Sequence, residues 1–320
     1  MGYSFSSMAQ NDSIMPVNNW WKKHHMFDGL EVGINIGSTG VGLSVNTPVT
    51  KWADIRAGVD WVPNLSFPLH FNLNTYSDGM PTGNFNKVAN MLYDYTGIMM
   101  DETVKMTGNG SMVNFKFLVD FFPIPNSRHW HITAGFYVGT SHVGKAINNY
   151  EEKPTLVALN IYNRAYEYFT NLESFHDLPL GSAGSLNPEK VKKIKEKFAE
   201  YGRMGIHIGD FKDGSSYIME PAPDGSLSAK AFVNHFKPYV GTGYTTHLDH
   251  NKKWQFGVDF GVLFWGGAPD IIHYDYANNR EINFSKDLIN IRGKVGDYVK
   301  IIKSFPVYPV LEIRFSYSIL

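Results

Sequence analysis

Apolar residues occupy every second position from residue 55 to residue 73. These positions are Ile55, Ala57, Val59, Trp61, Pro63, Leu65, Phe67, Leu69, Phe71 and Leu73. The residues between them are mostly polar or small, and a period of two is typical of a β-strand with one apolar face. At about 3.3 Å per residue such a strand is roughly 60 Å long, well beyond the roughly 10 tilted residues that cross a bilayer.

The same alternation recurs in seven further segments, so the pattern predicts eight strands. The segments are residues 30–36, 41–45, 113–121, 132–138, 238–244, 254–264 and 307–319. A break of the long strand at Val62–Pro63 is the alternative, and it gives ten or more strands. The opposite faces carry six acids and four bases: Glu31, Asp54, Asp60, Asp120, Asp259 and Glu312, with Arg56, Lys116, Lys237 and Arg314.

Two architectures produce this pattern: a soluble sandwich with its apolar faces inside, or a membrane barrel with its apolar face outside. Loop lengths distinguish them. Short connections at 47–51, 123–128 and 247–253 alternate with long ones at 75–111, 143–230 and 266–306. Short periplasmic turns and long external loops are typical of outer-membrane barrels. We therefore predict an all-β fold, a closed antiparallel transmembrane β-barrel of eight strands with helix-containing extracellular loops.

Three tryptophans support this orientation. Trp52, Trp130 and Trp254 each begin a predicted strand, next to basic residues of the preceding turn. Tryptophan is enriched where lipid meets water. The three residues therefore predict an aromatic belt on the periplasmic side.

Composition excludes several classes of protein. Lys and Arg total 29 against 30 Asp and Glu, so no basic excess exists for binding nucleic acid. The chain contains no cysteine, which excludes disulfides, thiolate metal sites and cysteine nucleophiles. No apolar run approaches the roughly 18 residues of a membrane-spanning helix. We expect neither a cofactor nor a metal site.

The N-terminal 28 residues stand apart from the strand pattern. Residues 7–10 read Ser-Met-Ala-Gln and are similar to the small-residue end of a secretory signal peptide. We expect residues 1–28 to be a leader remnant and periplasmic tail, with an ordinary tail as the alternative. Residues 29–320 are expected to form a single outer-membrane barrel domain with insertions at 75–111, 143–230 and 266–306.

The last strand has a family resemblance. Residues 305–319, FPVYPVLEIRFSYSI, resemble the C-terminal assembly signal of bacterial outer-membrane proteins, although an aromatic residue usually stands where Ile319 does. Residues 238–244, PYVGTGY, and 259–269, DFGVLFWGGAP, look like motifs of a largely uncharacterised family of small Gram-negative outer-membrane barrels. The resemblance implies an OmpA-type eight-stranded architecture and a place in the bacterial outer membrane. It implies no catalytic residue.

The long loops carry helical patterns. Asn187-Pro188 begins one helix and Gly202 ends it. Its polar face has five lysines: Lys190, Lys192, Lys193, Lys195 and Lys197. This face is a solvated surface or a contact for lipopolysaccharide or an acidic partner. Apolar residues at helical spacing predict further helices at 156–169, 85–95 and 284–302, and residues 206–219 predict a β-ribbon.

The interior charges decide the predicted function. An eight-stranded barrel is just wide enough for side chains to fill, so we expect the ten charges to form an ion-pair network rather than to line a wide pore. The only polar residues in the middle of the lipid face are Thr140 and Thr242, so we expect no enzyme. We predict a cell-surface structural, binding or complex-assembly protein, with outer-membrane lipid, lipopolysaccharide and a protein partner at the loop helices. The alternatives are a narrow, porin-like solute channel and a lipid-modifying enzyme of the outer membrane.

Overall fold

A computed structural model describes residues 29–171, 188–291 and 293–319. The expected leader remnant and tail, residues 1–28, lie outside these ranges. In chain order the elements are β1 (Glu31–Gly37), β2 (Gly40–Thr50), β3 (Ala53–Asn72), β4 (Asn74–Ser77), β5 (Met80–Pro81), α1 (Phe85–Thr96), β6 (Thr103–Phe121), β7 (Trp130–Gly139), β8 (His142–Asn148), α2 (Lys153–Thr170), α3 (Pro188–Tyr201), β9 (Arg203–Phe211), β10 (Ser216–Met219), β11 (Ser228–Phe232), β12 (Phe236–His247), β13 (Trp254–Leu263), β14 (Asp270–Asp275), β15 (Arg280–Asn283), β16 (Leu288–Ile289), α4 (Gly293–Lys303) and β17 (Tyr308–Ser318). No helix in these ranges is long and apolar enough to cross a membrane.

Eight antiparallel strands form a ring in which each strand pairs with two others. The order is β1-β2-β3-β6-β7-β12-β13-β17, and β17 pairs back with β1. Strands that are neighbours in the ring also follow each other along the chain, once the strands outside the ring are left out. Each of the eight segments with alternating residues lies in one of these strands.

Burial in the ring is inverted relative to a soluble protein. On β1, Ile34 is 62% exposed, whereas its neighbour Asn35 is 4% exposed. The same alternation holds along residues 113–121 of β6 and along β17, where apolar side chains are exposed and polar ones are buried, except that Leu118 and Val310 are buried. The apolar faces therefore point out of the ring and the charges point in. This arrangement excludes the sandwich alternative, in which the apolar faces would meet inside.

Strand β3 is continuous, so the alternative of a break at Pro63 is wrong. Its pairing with β6 contains an irregularity instead. Val62 lies opposite Met112, and the next pair is Leu65 with Gly110, so β3 has one residue more than β6 at this point. A single extra residue reverses which side chains face each side of a sheet. The apolar series of β3 therefore faces outward up to Trp61 and changes to the other side of the sheet after the bulge, where Leu69 and Phe71 are buried in a protein core.

Beyond the bulge the sheet leaves the ring. The upper part of β6 pairs with β8, and the sheet continues through β11 and β14 to β15. A second sheet has the order β10-β9-β4-β5, with β16 paired to β9. The two sheets and the four described helices enclose a separate apolar core, and we call this part of the molecule the cap. Leu69, Phe71 and Leu73 join this core with residues of α1, α2 and β9.

The described helices confirm three of the four helical patterns. α1 and α2 cover the segments at 85–95 and 156–169, and α3 covers the lysine-rich segment from Pro188, with Asn187 outside the described residues. The pattern at 284–302 is wrong in its first half, because the helix begins only at Gly293. Leu288 belongs to β16, and the positive φ angles of Asn290 and Gly293 prevent a helix from continuing through these residues. The ribbon at 206–219 is confirmed as the β9–β10 pair.

Because of the bulge, two odd-numbered residues of β3, Val59 and Leu69, lie in opposite environments. We expect Leu69→Ala to lower the free energy of cap unfolding by about 2–5 kcal/mol, because it leaves a cavity in a packed core. Val59→Ala removes a side chain from the outer face of the ring and should leave the cap unchanged. Proteolysis of the cap across a urea series measures both effects. Equal losses from the two variants would contradict the reversal of faces.

Candidate functional site

Arg56 lies at the centre of the ring interior and is 1% exposed. Its Nη2 donates to Asp120 Oδ1 at 2.9 Å, and its Nη1 donates to Asp259 Oδ2 at 2.9 Å. The carboxylate of Glu312 lies 3.6 Å from Nη1. Three carboxylates from three strands therefore share one guanidinium, whose planar fork suits this bidentate geometry.

A second cation lies next to this group. Lys116 Nζ is 2.6 Å from Glu312 and 3.0 Å from Asp60. The amide of Asn35 donates to Asp60 at 2.8 Å, and Thr39 donates to the other oxygen of Asp60 at 3.0 Å. Buried charges are tolerated when they are paired and hydrogen-bonded, and these charges are both.

Arg314 and His131 complete the centre. Arg314 Nη2 lies 4.0 Å from Asp259, which makes it the loosest ion pair of this group. His131 Nε2 lies 2.8 Å from the same carboxylate. A Cβ at Gly243 would come within 2.5 Å of His131 Nε2, so a glycine there allows β12 to approach the pair. The alternation along β7 puts His131 on the inner face, whereas its neighbour Ile132 faces outward, but it gives no signal for the partner of His131.

The remaining residues of the predicted network have other partners. Asp54 pairs with Arg128 of the β6–β7 turn. Arg128 is one of the basic residues next to the predicted tryptophan belt. Glu31 accepts a hydrogen bond from Asn46 at 3.2 Å. Lys237 is fully buried, and its Nζ donates to Asn114 Oδ1 and to the carbonyl of Thr140 at 2.9 and 3.0 Å. The expectation of an ion pair for Lys237 is wrong, since neutral oxygen atoms hold its ammonium group.

A layer of apolar side chains lies among these charges. It is formed by buried side chains of five ring strands: Leu118, Tyr137, Tyr239, Leu263 and Val310. The rings of Tyr137 and Tyr239 are 5.6 Å apart. The interior is thus obstructed by two groups of side chains, one ionic and one apolar.

The opposite end of the interior is open and polar. A cavity of about 460 Å³ lies there among the short turns, and Glu31, Asp54, Arg128 and Arg314 line it. Asp120 lines this cavity and also accepts a hydrogen bond from Arg56. The cavity therefore ends at the ionic obstruction.

Asp120, His131 and Asp259 are the one group of described residues whose side chains approach a metal-binding arrangement, with ligand atoms within 4.8 Å of one another. The guanidinium of Arg56 bonds to both carboxylates of this group. A cation supplied by the chain therefore occupies the position that a metal ion would take, and the residues do not fit a metal centre.

The three predicted belt tryptophans lie at the same end of the ring as this polar cavity. Trp130 and Trp254 are the first residues of β7 and β13, and Trp52 immediately precedes β3. All three are more than half exposed. Each packs against an aromatic residue of a neighbouring strand, as in the pair of Trp254 with Tyr317 at 4.9 Å.

Helix α3 presents the predicted lysine face. Lys192, Lys193, Lys195 and Lys197 are exposed, and the side chain of Lys190 lies outside the described part. The opposite side of the helix packs into the cap, where Phe198 stacks on Phe169 at 5.3 Å. The apolar stripe of α3 is thus covered within the chain, whereas its lysines face solvent.

His273 is a buried titratable group of the cap interior. Its Nδ1 lies 2.7 Å from the carbonyl oxygen of Ser228, and Nε2 has no hydrogen-bond partner among the described residues. Burial lowers the pKa of His273 below its ordinary value of 6.5, and the bond to Ser228 counteracts this only in part. His273 is therefore neutral in the folded cap.

The ring and its interior define a class of protein: a mainly antiparallel β-protein with an apolar exterior, a charged interior and a folded cap at one end. Two solved structures from Acinetobacter baumannii are similar to the chain. The crystal structure of CarO has 10% identity and a TM-score of 0.39, covering 90% of this chain and 96% of that one. The crystal structure of CarO2 has 11% identity and a TM-score of 0.40, covering 91% of this chain and 98% of that one. At these scores the similarity carries no argument, and the fold assignment rests on the strand pairing itself.

The sequence matches no known family profile, and no curated protein matches it.

Removing the central cation tests the network. We expect Arg56→Met to lower the free energy of unfolding by about 3–5 kcal/mol, because it leaves buried carboxylates without their partner. Arg128→Met is the comparison variant: Arg128 is 41% exposed and its partner Asp54 lines the polar cavity at the open end, so loss of this pair should cost less than loss of Arg56. Reversible urea unfolding in detergent micelles measures both. Similar losses from the two variants would show that Arg56 does not hold the interior together.

The lowered pKa of His273 predicts a pH-dependent cap. The unfolded chain takes up a proton as the pH falls through 6.5, whereas the folded cap resists it. Cap stability should therefore be complete above that pH and decrease below it. Hydrogen exchange of cap amides at about pH 7.5 and about pH 5.5 measures the decrease. His273→Gln should abolish the part of the decrease that this group causes; an unchanged slope in the variant would assign it elsewhere.

Proposed function

We propose that the chain is a closed, eight-stranded transmembrane β-barrel of the bacterial outer membrane that carries a folded cap on the cell surface. The observation that supports this most directly is the inverted burial of the ring. Apolar side chains cover its outside, and paired charges fill its inside. A surface of this kind is stable only against hydrocarbon, because soluble proteins rarely expose apolar patches of such extent.

The two ends of the ring support one orientation. The tryptophan end has short turns and a polar cavity, whereas the other end carries the whole cap. Outer-membrane barrels have short periplasmic turns and longer external loops. We infer that the tryptophans lie at the periplasmic boundary and that the cap faces the medium.

The interior supports a role other than bulk transport. A solute would have to displace both the Arg56 ion pairs and the tyrosine layer to pass. Breaking buried ion pairs leaves unpaired charges, which is strongly unfavourable. We therefore infer a structural, binding or complex-assembly role at the surface. A narrow solute channel is the second candidate, favoured by the polar cavity that reaches as far as Asp120 and Arg314.

The cap supplies the surface for such a role. Its helices bury apolar side chains in the cap core, against one another and against the two sheets. The exposed lysines of α3 offer positive charge to lipopolysaccharide phosphates or to an acidic protein surface. No catalytic role is proposed. The hydroxyls of Thr140 and Thr242 on the lipid face bond to backbone carbonyl oxygens.

Conductance in planar lipid bilayers tests the closed interior. We expect the wild-type protein to give no stable openings. A variant with both Arg56→Ala and Tyr239→Ala removes a large side chain from each obstruction and should conduct. Phe260→Ala, on the outer face of β13, is the matched control and should stay silent. Stable openings of the wild-type protein would replace the proposed role with that of a channel.

A further inference from the structure

The cap contains an apolar cavity of about 370 Å³ that the proposed function does not use. It lies between the sheet that continues from the ring and helix α4. Side chains of β3 form one wall, and Val295, Tyr298 and Ile302 of α4 form the roof. Packed protein interiors contain few voids larger than a water molecule, so a cavity of this size needs a cause.

Two rows of small residues form the floor of this cavity. Gly108 of β6 pairs with Ala146 of β8, which pairs with Ala229 of β11. In the next row on the same face, the paired residues are Gly110, Gly144 and Ala231. Lys145 and Lys230 stand between these rows and also line the cavity, but they occupy the alternate positions, whose side chains point to the other face of the sheet.

The fold itself does not require glycine at two of these positions. A Cβ at Gly110 or Gly144 would find its nearest neighbours at 3.6 and 3.5 Å, which is ordinary contact, and neither residue has a positive φ. Gly108 differs, because the ring of Phe67 would lie 2.4 Å from its Cβ. Glycine weakens a strand interior. Gly110 and Gly144 therefore keep space open in the cavity rather than accommodate a neighbour.

The rim and the volume indicate what fills this space. Phe67 and Ile301, which both line the cavity, are 51% and 59% exposed, so apolar side chains reach from the interior to the surface. Small-molecule sites have volumes of about 300–1,000 Å³, and apolar cavities stay dry and take up apolar molecules. We propose that the cap binds one hydrocarbon chain in this cavity, from a free fatty acid or from a lipid of the outer leaflet. The proposal holds whether or not the ring interior conducts.

Binding of 11-(dansylamino)undecanoic acid to the full-length protein in lipid nanodiscs tests the proposal. We expect saturable fluorescence enhancement for the wild-type protein. Ala231→Leu fills the floor and should weaken binding by at least about tenfold. Lys230→Leu places the same side chain on the other face of the same strand and should change binding by less than about twofold. Gly144→Ala, which the backbone accepts without a clash, provides a milder variant and should weaken binding by roughly threefold.

Competition distinguishes the two sources of the chain. Displacement of the probe by dodecanoate, but not by added lipopolysaccharide, identifies a free fatty acid; the reverse identifies a membrane lipid. Thermal unfolding of each variant shows that the cap is folded. Absence of saturable binding to the wild-type protein, or equal binding by Ala231→Leu and Lys230→Leu, would overturn the proposal.

Discussion

The shared guanidinium of Arg56 is the interaction on which the ring interior depends. Its carboxylate partners Asp120 and Asp259 lie 64 and 203 residues further along the chain. They reach the same group only because β6 and β13 are in their places in the ring. Conversely, the strands can turn charged faces inward only because each charge finds an opposite one or a polar partner there. The order of the strands and the ion pairs of the interior therefore support each other.

The sequence predicts which way residues face far better than it predicts which residues meet. Alternation placed Arg56, Asp120 and Asp259 on the inner face, and the structure brings these three together. Contact across a ring depends in addition on how far each strand is shifted along its neighbours. That shift is set by turns and by pairing over long separations. For this reason the sequence could not predict that Arg128 pairs with Asp54. It also could not predict that neutral oxygen atoms surround the ammonium group of Lys237.

The cap shows the same limit in another form. The patterns for α1 and α2 are long and regular, and both helices form where the pattern places them. The strands β8, β11 and β14 gave no signal, because all three are short and the first two contain small residues of the cavity floor. Pro63 marked the place of an irregularity in β3, but the sequence did not show that it is a bulge. The apolar series of β3 keeps its parity through it, so only pairing with β6 reveals that the series serves two different environments.

Strands β3 and β6 pass from the ring into the cap without a break, apart from this bulge. They pair with each other over almost their whole length. A two-stranded ribbon of this kind has no hinge such as a flexible loop supplies. In the proposed membrane barrel, the cap should therefore keep a constant tilt relative to the bilayer, and a force on the cap would be transmitted directly to the ring. The cap is then a rigid extension of the barrel.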